Sequence, residues 1–272
     1  MTRFTVLGAA GMIGSALSDA LERQGYEVLR MDRPLLRHAL NARYPLGHVI
    51  SCIGLTGDFR TRPHATVEAH VGLTSACLSQ LRCESFLFLS STRVYAHASA
   101  THEEAALPCF SSDPSDLYNL SKLTGEALCL ADSRPTCRVV RLSNVYGPGA
   151  NDTFLGQVLA EGLTTGAVRF RQAAGSEKDY IALETVVAIL PEIAARGRHR
   201  LYNLASGANT SHAAIAAILA RLGWRASFAN DAPTVGFPCI DITRVKAEFD
   251  LPLSSLSDDL PRLASPGQEV RC

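Results

Sequence analysis

The 272-residue sequence predicts an α/β protein, a doubly wound parallel sheet with a smaller C-terminal lobe. Three observations lead there. A β-prone run, Phe4-Thr5-Val6-Leu7, passes into the glycine-spaced turn Gly8-Ala9-Ala10-Gly11-Met12-Ile13-Gly14 and then into a helical pattern, Ala16 to Gln24, closed by Gly25. Short apolar runs alternate with helical stretches up to about residue 150, the arrangement that specifies parallel strands with helices on both faces. Within that alternation lies Tyr118-Asn119-Leu120-Ser121-Lys122, which sets a phenol and an ammonium on one side of a helix.

Composition removes several function classes. With 26 basic and 26 acidic residues and no block of like charge, the chain has no electrostatic footprint for nucleic acid or an anionic membrane. No apolar run approaches the ~18 residues of a membrane span. The apolar stretch Phe4 to Leu17 resembles a signal peptide, but its glycine offsets and single preceding basic residue favour strand and helix. Eight cysteines form no CxxC and read as small buried hydrophobes of a reduced, cytoplasmic protein. Eight histidines lack ligand spacing, so no metal site is predicted.

In the glycine turn, Gly8 permits the bend, Gly11 lets the backbone approach a pyrophosphate, and Gly14 allows close helix packing. Met12 and Ile13 would lie along the cofactor with them, and the free N–H groups at the start of the following helix favour an anion. The strand Tyr26 to Met31 ends at Asp32, where a carboxylate would hold an adenosine ribose and repel a 2′-phosphate, favouring NAD. Arg33 and Arg37 keep NADP open, because either can neutralise such a phosphate, although as loop residues they also read as simply solvated. The strand Val49 to Gly54 ends in small residues, so Cys52, Ile53 and Gly54 would lie along the cofactor. The loop Leu55 to Pro63 follows, and its Asp58, Arg60 and Arg62 either meet an anionic substrate or are solvated. Helix 64–82 carries His70, read as a structural hydrogen-bonding residue. Its Val67, Val71, Thr74 and Leu78 suit a dimer seam or a sheet-facing core equally.

Phe86-Leu87-Phe88-Leu89 reads as a buried strand that delivers Ser90-Ser91-Thr92-Arg93-Val94-Tyr95 to its C-terminal end, the edge where open α/β sheets bind ligands. After a polar connection, 96–115, helix 116–131 carries Tyr118 and Lys122. A phenol with a pKa of about 10 is a poor base at neutral pH, and a fixed neighbouring cation favours its ionised form. The pair could therefore shuttle a proton. Cys137 to Leu142 is the next strand, running into Ser143-Asn144-Val145-Tyr146-Gly147-Pro148-Gly149. Beyond residue 150 the pattern is less regular: helix 153–163, strand 167–171, Asp179 to Leu183 into helix 184–196, strand Leu201 to Leu204, and helix 211–222 with Thr210 or Ser211 as its N-cap. We divide the chain into a core over 1–150 and an interleaved substrate lobe over 151–272.

These motifs, with weaker matches at 175–181 and 202–207, resemble the extended short-chain dehydrogenase/reductase family, and within it the NAD-dependent epimerase/dehydratase group that acts on nucleotide sugars. The resemblance implies a Rossmann core, hydride exchange with NAD, and a homodimer formed through helices 64–82 and 116–131. It implies that Ser91 is the catalytic hydroxyl, with Thr92 its alternative or a substrate contact. Tyr118 would be the acid/base, and Lys122 would bind the nicotinamide ribose and lower the tyrosine pKa. Asn144 and Lys178 would face the substrate. Thr92 and Arg93 stand where 4,6-dehydratases carry an Asp-Glu pair, so dehydration of that type is not expected. His70 replaces the usual Asn, Lys178 the usual Arg, and the segment 231–241 lacks an arginine found in many relatives. Three readings follow: a nucleotide-sugar epimerase; an NAD(P)H-dependent ketoreductase with the same residues; and a dinucleotide-sensing scaffold, which has no need of the Tyr/Lys pair.

Overall fold

In the computed structural model the chain is described over residues 2–42, 44–55, 57 and 59–265, with the side chains of residues 33, 41 and 42 outside that set. It begins with Arg3–Leu7 (β1), Met12–Arg23 (α1), Glu27–Met31 (β2), Arg33–Ala42 (α2) and His48–Ser51 (β3). Pro63–Val67 (α3) and Leu73–Gln80 (α4) flank a π-helical turn at Glu68–Gly72, and Ser85–Ser91 (β4) runs into a 3-10 turn at Thr92–Tyr95. Asp116–Ala131 (α5) and Cys137–Leu142 (β5) follow. Next come Asn144–Tyr146 (β6), Phe154–Thr165 (α6), Ala167–Phe170 (β7), Glu177–Ala182 (β8) and Leu183–Arg196 (α7). Leu201–Leu204 (β9), Asn209–Ser211 (β10), His212–Arg221 (α8), Arg225–Phe228 (β11), Thr243–Glu248 (α9) and Leu256–Leu263 (α10) complete the order.

Six strands form one parallel sheet in the order β2-β1-β3-β4-β5-β9. Both faces are covered, which explains the continuous apolar runs in the sequence. Alternation sends Leu87, Leu89 and Val140 to the face packed by Leu17, Leu21, Ile189 and Ile193. Phe86, Phe88 and Val139 go to the other face, against Cys77 and Cys129. Strand β9, from beyond residue 150, closes the sheet edge on β5. The lobe has a second sheet, β10-β8-β6, and a β11-β7 pair. Its core gathers Tyr146, Leu155, Phe170, Tyr180, Ile215 and Leu219.

Three local expectations change. Helix α1 begins at Met12 rather than Ala16, so the end of the glycine motif is itself the first helical turn. The stretch after Asp32 is a helix, not a loop: Asp32 Oδ1 accepts from the Leu35 N–H at 2.9 Å, and Pro34 sits in the first turn, where no N–H is needed. The helix expected over 64–82 carries a π turn in its middle, where the Leu73 N–H reaches back to the Glu68 carbonyl. Thr74 and Cys77 face inward, while Val67 is exposed. Ser211, not Thr210, caps α8 by accepting from the Ala214 N–H. Among the described residues no helix is long and apolar enough to cross a membrane.

Candidate active site

A cavity of about 790 Å³ opens at the C-terminal edge of the central sheet and runs on to the lobe. It brings together most residues predicted for the site: Gly11, Met12, Ile13 and Gly14 at one end, Cys52, Ile53, Gly54, Ser91, Thr92, Tyr118 and Lys122 at the centre, and Asn144 and Lys178 toward the lobe. Gly8 lies beneath the turn at φ 74°, supporting the Cys52 backbone rather than the cavity wall. Asp32 is exposed at the end of β2, and the Arg33 side chain and Asp58 fall outside the described residues.

The turn fits a dinucleotide on its own geometry. A Cβ on Gly14 would lie 2.3 Å from the Gly8 carbonyl oxygen, so only glycine lets α1 start this close to the strand. At Gly11 a Cβ would meet only that same oxygen, at 3.4 Å, and otherwise point into open space. A side chain there would fill the place a pyrophosphate needs.

Tyr118 is 5% exposed, its ring 5.3 Å from both Phe59 and His70. Burial raises the phenol pKa, while a hydrogen bond with Ser91 and the charge of Arg93 pull it down. Ser91 also accepts from the Arg93 N–H, capping the 3-10 turn. Lys122 Nζ donates to the Leu89 carbonyl at 2.8 Å and lies 6.0 Å from the Tyr118 ring centroid. Burial depresses the ammonium to about 8, opposed by Glu126, so it stays protonated at neutral pH.

His70 is a prop for this group rather than a base. Its Nε2 accepts from the Leu55 N–H at 3.2 Å, which assigns the proton to Nδ1 and the 2.8 Å contact there to donation toward Ser121 Oγ. Ser121 in turn donates to the Tyr118 carbonyl at 2.9 Å. Burial first, and Lys122 second, lower the imidazole to about 3. The π turn that places His70 also packs tightly on α5, since a Cβ on Gly125 would lie 2.8 Å from the His70 carbonyl oxygen.

Beneath the site runs a buried polar network. Arg141 and Glu126, each 3% exposed, pair at 2.7 Å, and Ser90 Oγ donates to Glu126 at 2.5 Å. Arg141 also donates to the Tyr95 hydroxyl at 2.7 Å, which donates to Asn203 Oδ1 at 2.9 Å. The network therefore clamps β4, β5, α5 and β9 together under Ser91 and Lys122. On the lobe side, Asp179 accepts from the Ser206, Gly207 and Ala208 N–H groups and from Ser206 Oγ. Asn144 donates to the Asp179 carbonyl at 2.8 Å. Lys178, on the same strand, lines the cavity, its pKa lowered by burial and by Arg93.

Arg93 and Phe59 also line the cavity and were not among the predicted contacts. The available signal was the position of Arg93 two residues after Ser91. Elsewhere, His97, Asp113 and Asp116 place ligand-type atoms within 4.8 Å of one another. Phe110 N–H and Asn119 donate to Asp116, His97 Nε2 lies 3.3 Å from it, and the Ser115 N–H donates to Asp113, so these side chains organise the start of α5.

Comparison with known proteins bears on the fold and the family. Over 163 residues the chain is 28% identical to the spore coat polysaccharide biosynthesis protein SpsK of Bacillus subtilis (strain 168), a match spanning 56% of each chain. Solved structures are similar over nearly the full length. TunA, an NAD dependent-NDP-hexosamine 5,6-dehydratase involved in tunicamycin biosynthesis, superposes with a TM-score of 0.79 at 21% identity over 96% of each chain. MoeE5 in complex with UDP-glucose and NAD gives 0.78 at 22%, over 96% of this chain and 97% of its own. A variant of UDP-glucuronic acid 4-epimerase from Bacillus cereus, with NAD bound, gives 0.76 at 19%, over 95% and 96%. At these identities the structures establish the fold. The sequence profile of the NAD dependent epimerase/dehydratase family matches residues 4–205, most of the chain, and the protein accordingly belongs to that NAD-dependent family.

Proposed function

We propose that the protein is an NAD-dependent epimerase that acts on a nucleotide sugar through transient oxidation, with Tyr118 as acid/base. The observation that carries this is the meeting of Ser91, Tyr118 and Lys122 at the centre of one cavity, with the glycine turn at one end and Lys178 at the other. When bound, NAD supplies hydride acceptance from a sugar carbon and hydride return to its other face. Tyr118 takes the proton of the sugar hydroxyl and gives it back, while Ser91 hydrogen-bonds the same oxygen. Lys122, still protonated at neutral pH, holds a ribose hydroxyl, and Lys178 meets the diphosphate. Thr92 and Arg93 offer no acid–base pair for eliminating water, which favours epimerisation. MoeE5 and the Bacillus cereus epimerase were solved with sugar nucleotides, and this supports the substrate class.

We also place the protein in a reducing compartment, the cytoplasm, because the cysteines recorded are all free thiols. We take it to pair as a homodimer through the outer faces of the helices over 63–80 and of α5, where Val67 and Leu130 are exposed. Light scattering of the purified protein checks the dimer.

Mass analysis of the nucleotide released on denaturing purified protein tests the main reading. Near-stoichiometric NAD supports a cofactor retained and recycled. An empty protein that bound NADPH more tightly than NADH would instead favour a ketoreductase acting on a keto-sugar or small ketone. Tyr118→Phe should abolish turnover with NAD still bound, and surviving turnover would refute the assigned mechanism.

A further inference from the structure

The cavity wall carries, among the described residues, three cations, Arg93, Lys122 and Lys178, and two carboxylates, Asp152 and Asp179. Burial first and Arg60 second lower the Arg93 pKa, against upward pulls from Tyr118, Asp116 and Asp113, and burial first and Arg93 second lower that of Lys178. Among the described residues no carboxylate is ion-paired with Arg93 or Lys178. Asp179 lines the same cavity, but four donors from Ser206, Gly207 and Ala208 take up its carboxylate. Asp152, also on the wall, is exposed and is not among the charges that move either cation. The Nε of Arg93 is buried without a hydrogen-bond partner. Cations left this way in a partly desolvated site are complementary to an anion that comes with the ligand.

The two cations serve different places. Lys178 lies toward the lobe, over the Phe154 ring at 5.6 Å. Arg93 lies at the reacting end, its guanidinium carbon 6.0 Å from the Tyr118 ring centroid and 5.5 Å from that of Phe59. The Phe59 ring also meets Arg60 at 4.4 Å and Tyr118 at 5.3 Å. The Arg93 fork therefore borders the place where Tyr118 would meet its substrate. A guanidinium pairs bidentately with a carboxylate or a phosphate; on the reading above Lys178 serves the diphosphate at the lobe end, which leaves a carboxylate for Arg93 at the reacting end.

We propose that Arg93 binds a carboxylate on the reacting sugar, so that the substrate is a nucleotide-linked uronic acid rather than a neutral hexose. This rests on the epimerase reading above. The test compares kcat/KM for UDP-glucuronate and UDP-glucose, by chromatography of epimerised product, in the wild type, Arg93→Gln and Arg93→Lys, with unfolding midpoints confirming that each variant folds. The wild type should prefer the uronate. Arg93→Gln should shrink that preference about 10- to 100-fold, the range for losing hydrogen bonds to a charged group. Arg93→Lys should restore part of it, keeping charge without the fork. A wild type that prefers UDP-glucose, or a Gln variant that loses both substrates equally, overturns the inference and leaves the epimerase reading standing. If neither sugar is epimerised nor reduces protein-bound NAD, both fall together.

Discussion

Removing Glu126 should expose how much the buried network contributes. In Glu126→Ala, Arg141 keeps its charge at 3% exposure but loses a carboxylate that meets it at 2.7, 3.1 and 3.2 Å, and Ser90 loses its acceptor. Breaking a buried pair from one side costs about 3–5 kcal/mol. Arg141 retains the Tyr95 hydroxyl at 2.7 Å and the Glu103 carbonyl at 3.2 Å, which puts the expectation near the lower end, about 3 kcal/mol. For a chain of this length that is a fall in Tm of roughly 6–12 °C. Urea unfolding followed by circular dichroism measures it. The double variant Glu126→Leu with Arg141→Met should recover most of the loss, because an apolar pair of similar volume carries no unpaired charge. A Glu126→Ala protein within about 1 kcal/mol of wild type, or a double variant as unstable as the two singles summed, would refute the claim that the pair acts as one buried unit.

Two further outcomes follow from the buried titratable groups. Lys122 is held at about 8 against 10.5 unfolded, so the folded protein bears a buried-charge penalty of up to roughly 3 kcal/mol below pH 8 that fades between pH 8 and 10.5 as native Lys122 deprotonates first. Lys122→Met should therefore be inactive yet unfold at higher urea than wild type at pH 7, with the gap closing by pH 10.5; a less stable variant at pH 7 sinks this. His70, lowered to about 3 from 6.5, stays neutral in the fold while the unfolded chain takes up a proton, so wild type should lose stability between pH 6.5 and 3 faster than His70→Asn, and imidazole NMR should show no His70 titration between pH 5 and 8.

What the sequence announced was chemistry local to a few residues. The glycine spacing declares itself because each glycine answers to its own backbone neighbours, as Gly14 does to the Gly8 carbonyl. The Tyr118 and Lys122 pair shows because helical period alone sets it on one face. Contacts made across the fold left no such trace. Arg141 meets Glu126 fifteen residues away and Asn203 joins through Tyr95, pairings that only strand order creates. Helix α2 was hidden because arginines around Pro34 look like a loop until Asp32 is seen capping it. Arg93 was read only as a departure from an acidic pair, since its nearness to Phe59 depends on how the 3-10 turn aims it. Helical spacing and the resemblance both led to the expectation that Lys122 lowers the tyrosine pKa; here the downward pulls come from Ser91 and Arg93.

The chain leaves the central sheet after Leu142 and rejoins it only at Leu201. During synthesis the glycine turn and five strands are therefore complete while one edge of the sheet still has no neighbour, and a bare edge is a template for wrong pairing. Parallel pairing across so long a separation is also slow. The segment bearing Lys178 has to be made before the half that holds the dinucleotide can be sealed. Order of manufacture thus ties the two halves together, and a chain interrupted before Leu201 would forfeit both.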